Sequence, residues 1–176
     1  MPDWTANVRQ LGYGLDFGYN PDPTACVRVG LLNGKLILDE VFYENDLTNV
    51  SFNTGNSIEE RLRTNNITSE IIADSASPTS IAELQGKRFN VIGVRKYAGS
   101  VGEGLRVMSN YAPFYVTERS VNLIKELKNY TYKKDYRTGI YTNDPMDNFN
   151  HGIDAARYVV LSKIAPHGGG KTKLMC

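Results

Sequence analysis

LGYGLDFGYNPDPTACVRVGLLNGKLILDEVFY, residues 11–43, decides the fold. Residues 11–18 alternate weakly and run into the turn-rich Tyr19-Asn20-Pro21-Asp22-Pro23, which predicts a strand followed by a loop. Residues 24–32 (TACVRVGLL) form a second apolar strand, and Asn33-Gly34 is the dipeptide that two-residue hairpin turns favour. Residues 35–43 (KLILDEVFY) return as a third strand. Three strands joined in this way make an antiparallel meander.

The pattern then changes to alternating helices and strands. Asn56-Ser57 can cap a helix reaching about Asn65, with Glu59 and Glu60 in its first turn. EIIAD (residues 70–74) is a short apolar strand with an acid at its C-terminal end. Ser77-Pro78 starts a helix to about Gln85, with Ser77 as cap and Pro78 at the first helical position. FNVIGV (residues 89–94) is a further buried strand. Residues 100–110 form a helix despite their glycines, 114–117 a short strand and 120–127 a short helix. Residues 128–141 (KNYTYKKDYRTGIY) predict a β-hairpin or an extended flap, and residues 147–164 a final helix. The resulting expectation is an α/β fold: a mixed sheet, a three-strand antiparallel meander plus parallel strands, with helices on both faces. Residues 1–165 would be the domain and 166–176, Gly- and Lys-rich, a flexible tail.

The chain has 176 residues, enough to bury one substantial core, with 41% hydrophobic and 22% charged residues and a net charge of +1. No apolar run approaches a membrane span and the N-terminus lacks a signal-peptide pattern, so an intracellular, cytoplasmic protein is expected. Its two cysteines, Cys26 in an apolar strand and Cys176 at the end, make no disulfide framework or zinc spacing. Residues 1–76 carry five Lys/Arg against eleven Asp/Glu, whereas the remainder is net basic. Such a distribution can set a cation site beside a phosphate-binding surface.

Three aspartates stand in apolar surroundings: Asp16 at the end of the first strand, Asp74 at the end of the fourth, and Asp154 inside the final helix. His151, three residues before Asp154, shares its helix face. Buried carboxylates are costly unless neutralised, and neighbouring ones repel. Oxygen-rich sites suit Mg²⁺ or Mn²⁺, and two such ions can drive phosphodiester hydrolysis. Each acid also has an ordinary reading: Asp16 as a turn cap, Asp74 as a cap near Ser77, and Asp154 as an ion-pair partner of Arg157. The segment Gly168-Gly169-Gly170-Lys171-Thr172 is not a phosphate-binding P-loop, because Ala165 stands where the first glycine is needed and the segment follows a helix near the chain end.

In combination, GLDFGYNPDPTA (residues 14–25), IIADSASP (71–78), RKYAGSVGEGLRVM (95–108), NLIKELKNYTYKKD (122–135) and DNFNHGIDAARY (147–158) resemble the C-terminal nuclease domain of the large terminase subunit of tailed bacteriophages, within the ribonuclease H-like superfamily. The blocks occur in family order across most of residues 11–164, and the last is the most specific. The resemblance implies an endonuclease that cuts concatemeric viral DNA during genome packaging, by a mechanism using two Mg²⁺ or Mn²⁺ ions. It implies metal-ligand and catalytic roles for Asp16, Asp74 and Asp154, with His151 beside them. For Asp147 helix capping is preferred to a metal role. Lys96 and Ser100 match a basic, glycine-containing segment suited to phosphate, and Lys128, Lys133 and Lys134 fall on a basic, tyrosine-rich hairpin that could follow a DNA backbone. Implied partners are double-stranded DNA, an N-terminal ATPase domain, the portal and the small terminase subunit. The ATPase motor has no counterpart here, so an isolated domain or processed fragment of phage or prophage origin is expected. The alternatives are a junction resolvase or hybrid ribonuclease of the same superfamily, an actin-like nucleotide-binding protein, for which a second phosphate loop is lacking, and a non-catalytic DNA-binding module, which the intact acid set disfavours.

Overall fold

The computed structural model describes residues 3–51, 55–130, 132–134, 141–145 and 150–165, with the backbone alone for 132–134 and 141–145. The meander is formed by β1 (Arg9–Asp16), β2 (Thr24–Leu32) and β3 (Lys35–Glu44). β1 pairs antiparallel with β2, and β2 with β3, from Thr24 opposite Glu44 to Leu32 opposite Lys35. The β2–β3 turn places Asn33 and Gly34 at φ 50° and 75°, the left-handed backbone that made Asn-Gly a turn signal.

The alternating part follows in order: α1 (Ile58–Thr64), β4 (Ile71–Ala73), α2 (Pro78–Gly86), β5 (Val91–Gly93), α3 (Ser100–Asn110), β6 (Tyr115–Val116) and α4 (Val121–Asn129). Then come β7 (Tyr132–Lys134), β8 (Tyr141–Pro145) and α5 (His151–Lys163). The six-stranded sheet runs β5-β4-β1-β2-β3-β6, with β4 and β5 joining β1 in parallel and β6 joining β3 in parallel. β7 and β8 pair antiparallel as a separate hairpin, which decides between hairpin and flap. This is the expected mixed sheet.

Two expectations need correction. Ser77 holds the N-cap position of α2 with Pro78 first in the helix, but its hydroxyl lies 3.2 Å from that of Tyr19 and makes no capping bond, whereas Ser57 caps α1 by accepting from the Glu60 amide. The final helix begins at His151, not at residue 147, and Asp147 lies outside the described residues, as do the tail from 166 and Cys176.

The alternation of β1 sorts the two cores. Tyr13 and Leu15 face a cluster with Cys26, Phe42 and Ile71, closed by Ile58 and Leu62 of α1 and Leu84 of α2. Gly14 faces the other side, where α5 lies so close that a Cβ on Gly14 would meet the Ala155 carbonyl oxygen at 1.7 Å. There Val27, Val29, Leu38 and Ile72 pack against Ile153, Val159 and Val160 of α5, with Leu123 of α4 and Val107 of α3. Full burial of each large aliphatic side chain contributes roughly 1.5–3 kcal/mol. Helices thus cover both faces. Among the described residues no helix is long and apolar enough to cross a membrane.

Candidate active site

Strand register brings the first two acids together. Leu15 lies opposite Ala73 in the parallel β1–β4 pair, and the Asp74 amide donates to the Leu15 carbonyl at 3.1 Å. Asp16 and Asp74 therefore leave the C-terminal ends of adjacent strands, the edge where open α/β sheets place their ligand sites. Asp16 is two residues after Gly14 and so falls on the α5 side of the sheet.

α5 supplies the rest. His151, Asp154 and Tyr158 recur at helical spacing along one face of it. Asp16 is buried; it lies 3.0 Å from His151 Nδ1 through Oδ2 and accepts from the Tyr158 hydroxyl at 2.8 Å through Oδ1. Burial raises the pKa of Asp16, and the charge of Asp154 adds to it, while hydrogen bonds from His151 and Tyr158 work the other way. The hydrogen bond to Asp16 raises that of His151 against burial. Tyr158 is pushed up by burial and then by the charges of Asp16, Asp154 and Asp74, and of these acids Asp16 is the one its hydroxyl bonds.

Each acid also has a local partner. Asp74 pairs with Lys96, whose ammonium lies 5.7 Å from the Tyr158 ring centre, and accepts from the Ala76 amide at 2.8 Å. Asp154 accepts from Arg157 Nε at 2.9 Å, and Asn150 Nδ2 approaches its other oxygen at 3.4 Å. The ordinary readings of Asp74 and Asp154 are thus both present alongside the clustering. Among the described residues no three Asp, Glu, His or Cys side chains stand together as a ready-made metal cage. The residue types nevertheless fit a hard divalent cation: carboxylate oxygens from two strand ends and one helix, one of them buried and hard to ionise.

The proposed DNA-contacting residues separate. Lys96 is half-exposed beside the acids and Lys128 is exposed in the last turn of α4. Ser100 is buried at the start of α3, its N–H spent on the Tyr97 carbonyl, so its side chain is not presented to a duplex. Lys133 and Lys134 lie on or at the end of β7, whose side chains are outside the description.

Sequence reasoning missed Tyr158, Tyr43 and Glu126, whereas the ion pair it read between Arg157 and Asp154 is present. A tyrosine in an otherwise aliphatic helix was a usable signal for the first. Glu126 carried none, because NLIKELKN reads as an ordinary amphipathic helix; yet it is buried, accepts from Tyr43 Oη at 2.8 Å and from the Ile153 amide at 3.0 Å, and has its pKa raised by burial. A cleft of about 530 Å³ opens beside it, lined among others by Pro21, Asp22, Tyr43, Lys125 and His151.

Residues 16–161 match the family described as "Terminase RNAseH like domain". The chain belongs to this family. It is 30% identical over 149 residues to the PBSX phage terminase large subunit of Bacillus subtilis, a match covering 84% of this chain and 33% of that protein. The chain thus spans about a third of the length of that large subunit. The fold is that of a terminase nuclease domain: the large-terminase nuclease domain of bacteriophage SPP1, solved with bound Mn, superposes with a TM-score of 0.72 and 29% identity over 88% of this chain and 85% of that one. The large terminase nuclease of thermophilic phage G20c, solved with magnesium, gives 0.59 and 17% over 92% and 85%, a likeness of fold.

Proposed function

We propose that this terminase domain, taken as residues 1–165, is a divalent-metal-dependent endonuclease that cuts double-stranded viral DNA. The observation that carries the reading is that Asp16 and Asp74 leave adjacent strand ends while α5, the helix of Asp154, is joined to Asp16 through His151 and Tyr158. Manganese in the SPP1 domain supports a divalent cation. Two Mg²⁺ or Mn²⁺ ions would supply positive charge for the attacking and leaving oxygens of the phosphodiester. Asp16, Asp74 and Asp154 would hold them. Tyr158 and His151 fix the Asp16 carboxylate, and His151 can also hold a proton next to the reacting groups. Lys96 and Lys128, with Lys133 and Lys134 of the hairpin, would contact phosphates, making affinity steeply salt-dependent. In its phage or prophage setting, in the host cytoplasm, the domain would act on concatemeric DNA during packaging, joined to an N-terminal ATPase domain and working with the portal and the small subunit.

The test is cleavage of linear duplex DNA with Mn²⁺, Mg²⁺ or chelator. Chelation should abolish cutting, and Asp16→Asn, Asp74→Asn and Asp154→Asn should each remove most of it in folded protein. Near-normal cutting by folded Asp74→Asn would remove that residue from the site. Strong preference for junctions or RNA–DNA hybrids would replace the packaging substrate with a resolvase or ribonuclease one.

A further inference from the structure

The two basic side chains paired with Asp74 and Asp154 differ sharply in their freedom to leave. Arg157 is 3% exposed and its guanidinium carbon lies 5.0 Å over the Tyr158 ring. Its stem fills the space that Gly104 of α3 leaves open, where a Cβ would meet Arg157 Cγ at 2.5 Å. Moving it from Asp154 would strand a buried guanidinium, a costly step. Arg157 is therefore a fixed partner that occupies Oδ1 of Asp154, while Asn150 approaches Oδ2 at 3.4 Å. Lys96 is 41% exposed, on the loop between β5 and α3, and its pairing with Asp74 is of the half-solvated kind that contributes little to stability.

We propose that Lys96 is an exchangeable counter-ion, which holds Asp74 when no divalent cation is bound and passes to a phosphate oxygen of the DNA when one is. This rests on the reading of Asp74 as a metal ligand. A lysine ammonium is a point charge on a flexible stem, able to serve either acceptor, whereas a planar guanidinium wedged under a helix is not. Paired with Asp74, Lys96 competes with a metal ion for one carboxylate, and from that position its ammonium already lies 5.7 Å from the ring of Tyr158, whose hydroxyl bonds Asp16. Its loss should thus have two opposite effects, tighter metal binding and slower cutting. A residue that only supports the loop would weaken both, and one that only contacts phosphate would leave metal affinity unchanged.

The experiment is calorimetric titration of Mn²⁺ into the wild-type chain and into Lys96→Ala, Lys96→Gln, Lys96→Arg and Asp74→Asn, alongside cleavage rates at saturating Mn²⁺. Lys96→Ala and Lys96→Gln should bind Mn²⁺ about three- to fivefold more tightly, the scale of one partly screened charge pair. They should cut roughly tenfold more slowly through loss of one charged phosphate contact. Lys96→Arg should keep near-wild-type Mn²⁺ affinity. Unchanged or weaker Mn²⁺ affinity in folded Lys96→Ala overturns the exchange, and tighter binding with undiminished cutting overturns the transfer to phosphate. Failure of the wild-type chain to bind Mn²⁺, or undiminished binding by Asp74→Asn, overturns the metal reading of Asp74 instead.

Discussion

Gly14 of β1 and Ala155 of α5 meet backbone to backbone, with room for a hydrogen atom and not for a methyl group: a Cβ on Gly14 would stand 1.7 Å from the Ala155 carbonyl oxygen. This contact sets the distance between the strand that carries Asp16 and the helix that carries His151, Asp154 and Tyr158. Gly14→Ala must push the helix off the sheet, and should cost about 3 kcal/mol or more of stability and most of the cleavage. Gly102→Ala in α3 is the contrast, since nothing lies within 4 Å of its added Cβ. It should stabilise by about 0.5–1 kcal/mol through helix propensity. Urea denaturation of both variants checks the pair; a Gly14→Ala protein as stable as wild type would contradict the packing described.

Removal of the hydroxyl in Tyr158→Phe leaves the ring in place and takes one donor from a buried carboxylate. Stability should fall by about 1–2 kcal/mol. The loss should vanish when Asp16 is already Ala, which leaves the hydroxyl no acceptor there, because the two residues act through one hydrogen bond. A double-mutant cycle by chemical denaturation measures this coupling, and additive losses would show that the bond contributes nothing specific.

Asp39 gives a pH signature remote from the acids. Burial alone would raise its carboxyl, but hydrogen bonds from Arg119, Thr117 and Arg28 prevail and hold it below the ordinary carboxylate range. A lowered folded-state pKa contributes stability above the unfolded value of about 3.9 and loses it as pH falls through the folded value. Asp39→Asn should therefore be about 2 kcal/mol less stable than wild type at neutral pH. The gap should close below about pH 4. Denaturation curves from pH 3 to 7 test the sign; a gap that widens on acidification would refute it.

The legible parts of the molecule were those with local causes. The Asn-Gly turn, the strand-terminal positions of Asp16 and Asp74 and the helical spacing of His151 and Asp154 all follow from neighbours in sequence, and the structure sets Asp16 beside the end of β4 and His151 against Asp16. What stayed hidden depends on partners far along the chain. Asp39 stands beside Glu40 as one of two consecutive acids in a strand, with no local sign of burial, yet it is buried and paired with arginines 11 and 80 residues away. Ser100 looked like an exposed phosphate contact because a glycine-rich segment gives no sign of which face α3 buries. Lys96 looked like a phosphate ligand, and its pairing with Asp74 became visible only when β4 and β5 came side by side.

Glu126 is the least expected of these residues, and its effect on the site can be separated from its effect on stability. It reaches from α4 to the start of α5, where Asn150 provides no side-chain cap, and accepts from the amides of Gly152 and Ile153 as well as from Tyr43 Oη. Helix N-termini leave amides unpaired and favour a negative group, so this carboxylate ties down the turn that carries His151 and Asp154. Gly152 fits the contact, since a Cβ there would lie 3.1 Å from Glu126 Oε2. Glu126→Ala should destabilise by about 2–3 kcal/mol, because a half-buried tyrosine hydroxyl and helix amides lose their acceptor. Glu126→Gln keeps one acceptor oxygen and should cost about 1 kcal/mol. If the tie positions the site, cleavage measured well below the melting temperature should fall in Glu126→Ala through kcat with KM nearly unchanged, and recover substantially in Glu126→Gln. If it serves stability alone, both variants should cut at the wild-type rate once kept cold enough to be fully folded. Rates at 15 and 37 °C, beside a melting curve for each variant, distinguish the two, and wild-type kcat in cold, folded Glu126→Ala would confine the residue to holding the helix.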